Sequence, residues 1–304
     1  LVRDGDRTTI TMSSDFEGDV SDFAMVVPVP VVLHRSDIKT IDGQLFKSLD
    51  AYSGPRLVEF WDENPCYQPY YDDYAYPQME MTTLDEVSIM DTKKNYGVTV
   101  EAQYAVGEYD ILILSANESN GLKNWLTDNN YKIPSGAEEV LQPYINNNMK
   151  FFVAKVNMSE LKKKGTNQLS PLQMSFNSIK FMLPIRLGMA NAHGTQDLIV
   201  YAITKNGRVE TTNYQTKEVP SNLNVPEFIK PYFGQFYVDL YKRNWKKDGQ
   251  NCVYLEYGWD ISGYGLKCDP CSSTPPSAQD LINAGATWIT PDDYTNYSGN
   301  AYFT

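Results

Sequence analysis

A chain of 304 residues with 42% hydrophobic and 21% charged residues has the apolar material for one large domain or two ordinary ones, and too little charge for a disordered chain. Its 38 acidic against 26 basic residues give a net charge of −12, which argues against nucleic acid and anionic membrane surfaces as partners, because phosphates are held by clustered Lys and Arg. No run approaches the ~20 apolar residues that span a bilayer, and the abundance of tyrosine, 22 against 12 Phe and 5 Trp, suits the half-buried strands and exposed binding faces of a β-rich extracytoplasmic protein.

The opening Leu-Val-Arg-Asp-Gly-Asp-Arg reads as a strand running into a turn, and the closing Ala-Tyr-Phe-Thr as another strand. A fragment or processed product is expected, with its targeting segment and any anchor outside these residues. Residues 7–12 are β-branched and follow an Asp-Gly turn signal. Phe23 to Val32 is a near-continuous apolar run that predicts a buried strand. Pro28 and Pro30 place its second half at an edge or a bulge, since proline cannot donate to a ladder. Gly43 to Tyr52 predicts a helix. Residues 62–96, rich in Pro, Asp and Tyr without periodicity, predict a long loop or linker.

A second organised block starts at Val98. Val98 to Tyr104 and Tyr109 to Leu114 read as strands about a turn at Gly107. Leu122 to Asn129 and Ala137 to Asn146 carry apolar residues at helical spacing, and Met149 to Val156 returns as a strand. Lys162, Lys163 and Lys164 end at Gly165, which reads as a helix C-terminus favoured by the dipole, with a docking patch as the alternative. Short strands are predicted at Gln173–Asn177, Phe181–Leu187, Leu198–Thr204 and Arg208–Tyr214, with a hairpin signal at Lys205-Asn206-Gly207. Residues 227–247 look helical with an interruption near Pro231 and Gly234. Val253 to Trp259 is strand-like and Ser277 to Ala284 a short helix. Residues 12–29 and 174–185 echo each other, each a Met-Ser, a turn and an apolar strand with a late proline.

The pattern predicts an α+β fold: two β-rich blocks of mostly antiparallel strands with a few packed helices. Residues 1–61 form an N-terminal β-rich segment and 62–96 a linking loop. Residues 97–304 form an α+β block packed with the first as one or two tightly associated domains.

The only local arrangement that could carry chemistry is Cys268-Asp-Pro-Cys271. A redox pair needs its first cysteine at a helix N-terminus, where the dipole lowers the thiol pKa. Here Gly263, Gly265 and Lys267 precede it and Ser272-Ser-Thr-Pro-Pro276 follows, so no helix starts there. A four-cysteine zinc site needs two close pairs, and Cys66 and Cys252 have no near neighbour. Structural disulfides are the preferred reading, with metal, redox and free-thiol roles as alternatives; four cysteines allow three full pairings. With only His34 and His193, a histidine triad or multi-His metal site has almost nothing to draw on. Both read as surface or loop residues.

Asp15, Glu17, Asp19 and Asp22 share one loop and read as a solvated acidic turn. Calcium bound through their oxygens is the alternative, without EF-hand spacing. Asp72-Asp73 and Asp292-Asp293 are weaker versions of the same pattern. Glu256 and Asp260 flank Tyr257 and Trp259, an acid and aromatic grouping like that of a sugar-binding cleft; the bland reading is a surface strand. There is no phosphate-binding glycine loop and no nucleophile elbow. The sequons at Asn117, Asn157 and Asn296 are explained by chance in an Asn-rich chain. No cofactor is predicted.

The strings Leu-Val-Arg-Asp-Gly-Asp-Arg-Thr-Thr-Ile-Thr, Phe-Ala-Met-Val-Val-Pro-Val-Pro, Leu-Asp-Ala-Tyr-Ser-Gly-Pro-Arg-Leu-Val-Glu, Gly-Glu-Tyr-Asp-Ile-Leu-Ile-Leu-Ser-Ala, Phe-Met-Leu-Pro-Ile-Arg-Leu-Gly-Met-Ala-Asn and Cys-Asp-Pro-Cys occur in order along nearly the whole chain. Together they resemble an exported bacterial family catalogued as domain of unknown function 2330. The resemblance implies a signal peptide upstream, further family sequence at both ends and a further cysteine before Leu1. It matches Cys66, Cys268 and Cys271 to family positions and leaves Cys252 unmatched. It implies no activity. The expectation is therefore a non-enzymatic component of the periplasm, cell surface or secreted medium that binds envelope or extracellular proteins, glycans or itself. The alternatives are an envelope-polymer hydrolase using Glu256 and Asp260, and a thiol-disulfide protein using Cys268 and Cys271.

Overall fold

A computed structural model describes residues 1–13, 20, 24–59, 96–131, 136–165, 168–191, 194–221, 223–261, 273, 275–292 and 296–304. The fold is α+β with mostly antiparallel strands. In chain order the N-terminal part gives β1 (Val2–Asp4), β2 (Arg7–Met12), β3 (Ala24–Val29), β4 (Ile38–Thr40) and α1 (Gln44–Ser53). The middle gives β5 (Val98–Val106), β6 (Tyr109–Ala116), α2 (Ser119–Asp128), α3 (Ala137–Asn146), β7 (Lys150–Val156), α4 (Met158–Lys164) and β8 (Leu172–Asn177). Then come α5 (Gly188–Asn191), β9 (Ile203–Thr204), β10 (Gln215–Glu218), α6 (Phe233–Lys247), β11 (Cys252–Leu255) and β12 (Trp259–Asp260). The chain finishes with α7 (Ala278–Ala284), β13 (Thr290–Asp292), β14 (Asn296–Ser298) and β15 (Tyr302–Phe303).

Two sheets carry the structure. The larger runs β12-β15-β9-β1-β2-β8-β4, and the smaller runs β3-β7-β6-β5. Alternation along the strands decides which side chains meet. Ile10, Met174 and Ile38 of the large sheet face Val27, Val29, Ile111, Ile113, Phe152 and Ala154 of the small one, forming the central core. The opposite residues of the small sheet, Leu114, Phe151 and Val153, pack under Leu122, Trp125 and Leu126 of α2 and Leu141 and Ile145 of α3. On the far side of the large sheet, Val2, Ile203 and Phe303 meet Leu45, Leu49 and Tyr52 of α1 and Leu281 and Ala284 of α7. The layers are thus helix, sheet, sheet, helix. Each sheet draws strands from both 1–59 and 96–304, so the N-terminal segment is woven into the block that follows it.

Several sequence signals act as expected. Pro28 lies in β3, the edge strand of the small sheet, where a residue without an N–H is tolerated because one side of the strand has no ladder to feed. Gly107, at φ +56, is the first residue of the two-residue loop joining β5 to β6, where a primed hairpin turn calls for glycine. Lys162 to Lys164 form the last turn of α4. Gly165 follows in the left-handed conformation at φ +72, and Asn157 caps the start by accepting the Ser159 and Glu160 N–H groups.

Other expectations are corrected. No strand forms over Phe181–Leu187 or Arg208–Tyr214, and of Leu198–Thr204 only Ile203 and Thr204 form a strand, with Ala202 bonded to Thr304 just before it. Lys205-Asn206-Gly207 is a bend without a hairpin partner. Strand propensity needs a neighbouring strand and a covered face to be realised. Ile185, Leu198, Ile199 and Val200 instead lie exposed. The echo between 12–29 and 174–185 has no structural counterpart, because only the first copy continues into a strand. The helical stretch 227–247 divides into a 3-10 turn, Glu227–Tyr232, and α6. No helix among the described residues is long and apolar enough to cross a membrane.

Candidate functional site

The aromatic residues singled out in the sequence come together at one end of the large sheet. Phe303, buried in β15, is the centre. Tyr201 stacks on it at 5.7 Å between centroids and 17° between planes. Tyr257 approaches it at 5.6 Å, and Tyr52 at 6.1 Å. Tyr52 and Tyr257 also meet edge to face at 5.3 Å. The cluster reaches solvent through Trp259, 6.4 Å from Tyr257 and 45% exposed. Trp259 sits on β12, the outermost strand of the sheet, where nothing among the described residues pairs with its free edge.

Carboxylates border this face. Asp50 accepts the Tyr201 hydroxyl at 3.4 Å, and Glu256 accepts the hydroxyl of Tyr237 from α6. Asp260 lies exposed on β12, backbone-paired with Tyr302. Strand alternation turns Trp259 and Asp260 to opposite faces, so the two carboxylates that flank the aromatics in sequence are fixed by different elements, one by α6 and one by the sheet. Sequence reading found Glu256, Tyr257, Trp259 and Asp260. It missed Tyr52, Tyr201, Tyr237 and Phe303, which reach the site from distant segments that carry no local signal.

The phenols here are donors. Burial, aided by Asp50, pushes Tyr201 up to about 12. Tyr237 is raised by burial and by its bond to Glu256, and Tyr257 by burial and by neighbouring Tyr52. All three stay protonated near neutrality, with the Tyr201 and Tyr237 hydroxyls donated to Asp50 and Glu256 and the Tyr257 hydroxyl buried, so the face offers rings and the bordering carboxylates. That chemistry suits stacking and hydrogen bonding to a polar, ring-bearing or extended ligand.

The remaining candidates fall elsewhere. Cys252 in β11 is a half-buried free thiol. Cys66, Cys268 and Cys271 lie outside the described residues, as do Asp15, Glu17, Asp19, Asp22 and His193. No group of three His, Cys, Asp or Glu side chains that could hold a metal occurs among the described residues. His34 is exposed at the start of a short 3-10 turn, where its backbone N–H bonds to Asp37 at 2.8 Å.

A second polar cluster is structural. Glu108, the second residue of the β5–β6 loop and buried, accepts from the Ser170 N–H at 2.6 Å and from Lys164 Nζ at 2.9 Å. Lys164 also donates to Ser170 Oγ and the Gln168 carbonyl, and Tyr109 donates to the Ser170 carbonyl. Burial works to raise the Glu108 pKa, but the Ser170 and Lys164 contacts outweigh it and hold the carboxyl below its ordinary value. The sequence offered no sign of this, since a glutamate in a tight turn reads as solvated.

Compared with known proteins, residues 1–304 match the family described as "Uncharacterized protein conserved in bacteria (DUF2330)". No curated protein and no solved structure matches.

Proposed function

This chain belongs to the bacterial family DUF2330, and from that premise we propose that it is an exported, non-enzymatic binding component of the cell envelope or its surroundings. The contact surface is the Trp259 face, and its partner is an envelope glycan or protein. The observation that carries this reading is the exposed Trp259 on an edge strand, backed by a connected aromatic cluster and bordered by Glu256. A large ring held rigidly at low entropic cost is the usual anchor of a binding surface.

Replacing Trp259 by alanine should lower retention of the purified protein on isolated envelope material by about tenfold or more, an anchor's worth of 1–2 kcal/mol, with the melting temperature little changed. Unchanged retention would discard the face. Turnover of an envelope polymer that Glu256→Gln and Asp260→Asn together abolish would replace the binding reading with a hydrolase.

A further inference from the structure

We propose that the outer face of α6, with the turn that precedes it, docks this protein on an anionic lipid surface. The proposal uses different residues from the Trp259 face and stands separately from it.

The net charge of −12 is unevenly distributed. Between Lys205 and Asp260 there are eight Lys and Arg against seven Asp and Glu, so the rest of the chain carries the whole negative excess. Within this stretch α6 is amphipathic. Phe233, Phe236, Tyr237, Leu240 and Tyr241 form its half-buried face, with Tyr237 bonded to Glu256 and Tyr241 against Tyr254 at 5.0 Å. Lys242, Arg243, Lys246 and Lys247 are all exposed. Their i, i+1, i+4, i+5 spacing groups them on one exposed side of the last turns, with Lys242 and Lys246 opposite the aromatic face and Arg243 and Lys247 along its flank beside Phe236. The one acid on that face, Asp239, is engaged by Gln235 at 3.0 Å.

The helix dipole accounts for Lys246 and Lys247 in the last turn, but not for Lys242 and Arg243 a turn earlier. The contrast with α4 is informative. There Lys163 is paired with Glu160 and Lys164 with Glu108, whereas the four cations of α6 have no side-chain partner among the described residues. Such a cluster matches an anionic surface within a Debye length, whatever the total charge of the molecule.

The choice of a bilayer over a soluble polyanion rests on the turn Glu227–Tyr232, which leads directly into α6. It holds Phe228 at 71% and Tyr232 at 68% exposure. A ring-free polyanion such as polyphosphate would use the four cations but offers nothing apolar to meet two bare aromatic rings, which suit headgroup level in a membrane interface. No residue described between Lys205 and Asp260 is fully buried, as expected of a layer that lacks a covering partner.

The test is co-sedimentation of the full chain with vesicles of pure phosphatidylcholine and with vesicles containing phosphatidylglycerol. Wild-type protein should partition onto the anionic vesicles alone and be released by salt. Changing Lys242, Arg243, Lys246 and Lys247 together to Gln should lower that partition by about a hundredfold or more. Changing Phe228 and Tyr232 to Ser should lower it about tenfold while leaving binding to soluble polyphosphate unchanged. Both variants alter exposed side chains, and circular dichroism checks that they fold. Failure of the wild type to pellet with anionic vesicles at low salt, equal pelleting with zwitterionic ones, or an unaffected quadruple variant would each overturn the proposal. An aromatic variant that binds vesicles like wild type would reassign the face to soluble polyanions.

Discussion

Gly285→Ala should destabilise the protein by about 3 kcal/mol, read as a drop of roughly 6–10 °C in melting temperature. Gly285 ends α7 at φ +113, its N–H bonded to the Leu281 and Ile282 carbonyls. That backbone conformation is open to glycine and strained for any residue with a Cβ. A second obstacle adds to it. A Cβ at 285 would lie 2.8 Å from the Cβ, Cγ2 and Oγ1 of Thr9, a buried residue of β2 whose hydroxyl is hydrogen-bonded to Ser175 at 2.8 Å. Neither partner can move freely, because β2 is a central strand and the α7 end is tied to it by Gln173, which donates to the Asn283 and Ala284 carbonyls. Thermal melts of Gly285→Ala, Thr9→Ala and the double variant separate the two effects. Thr9→Ala removes the Cγ2 and Oγ1 contacts but keeps the Cβ contact and the backbone strain, so the double variant should recover only part of the loss beyond additivity. Full additivity would show that the Thr9 methyl and hydroxyl do not resist the approach.

Lys164→Met should also cost about 3 kcal/mol near neutrality, for an electrostatic reason. It removes the cation facing buried Glu108 and leaves a carboxylate held by backbone N–H groups alone, those of Ser170 and of Glu108 itself. Breaking such a pair on one side is far worse than removing both charges, since the remaining ion keeps its desolvation penalty. Adding Glu108→Gln to Lys164→Met should therefore recover much of the loss.

The pH dependence gives an independent reading. In the wild type the carboxyl titrates below its ordinary value of 4.5. Its contribution is thus fully present above 4.5 and fades as pH falls through the lower folded value. In Lys164→Met, burial acts with less opposition and raises the folded value. Acidification toward pH 5 should then narrow the gap to wild type. A gap independent of pH would mean that Lys164 acts through packing of its stem alone.

The elements that sequence reading placed well are those whose signals are local. α3 runs Ala137–Asn146, as its apolar spacing required, and α4 stops at Gly165 after its three lysines. β3 takes the edge position that Pro28 imposes. The strands that failed to form, 181–187 and 208–214, have the composition of strands but no neighbour to pair with, and composition cannot supply one. The candidate site divides in the same way. Glu256, Tyr257, Trp259 and Asp260 lie within five residues and could be read together, while Tyr52, Tyr201 and Phe303 reach the cluster only through α1, the segment leading into β9, and β15.

By itself, the sequence determined the fold class, most helix limits, the edge character of β3 and the net charge, because capping, periodicity and the chemistry of proline act within a few residues. Tertiary structure decided the rest. It interleaved the N-terminal strands with later ones, buried Glu108 against Lys164, gathered the aromatics behind Trp259, and left α6 with its cations outward on an acidic protein. Each of these depends on which distant segments share a face, and that is settled by the collective burial of apolar surface rather than by any local preference.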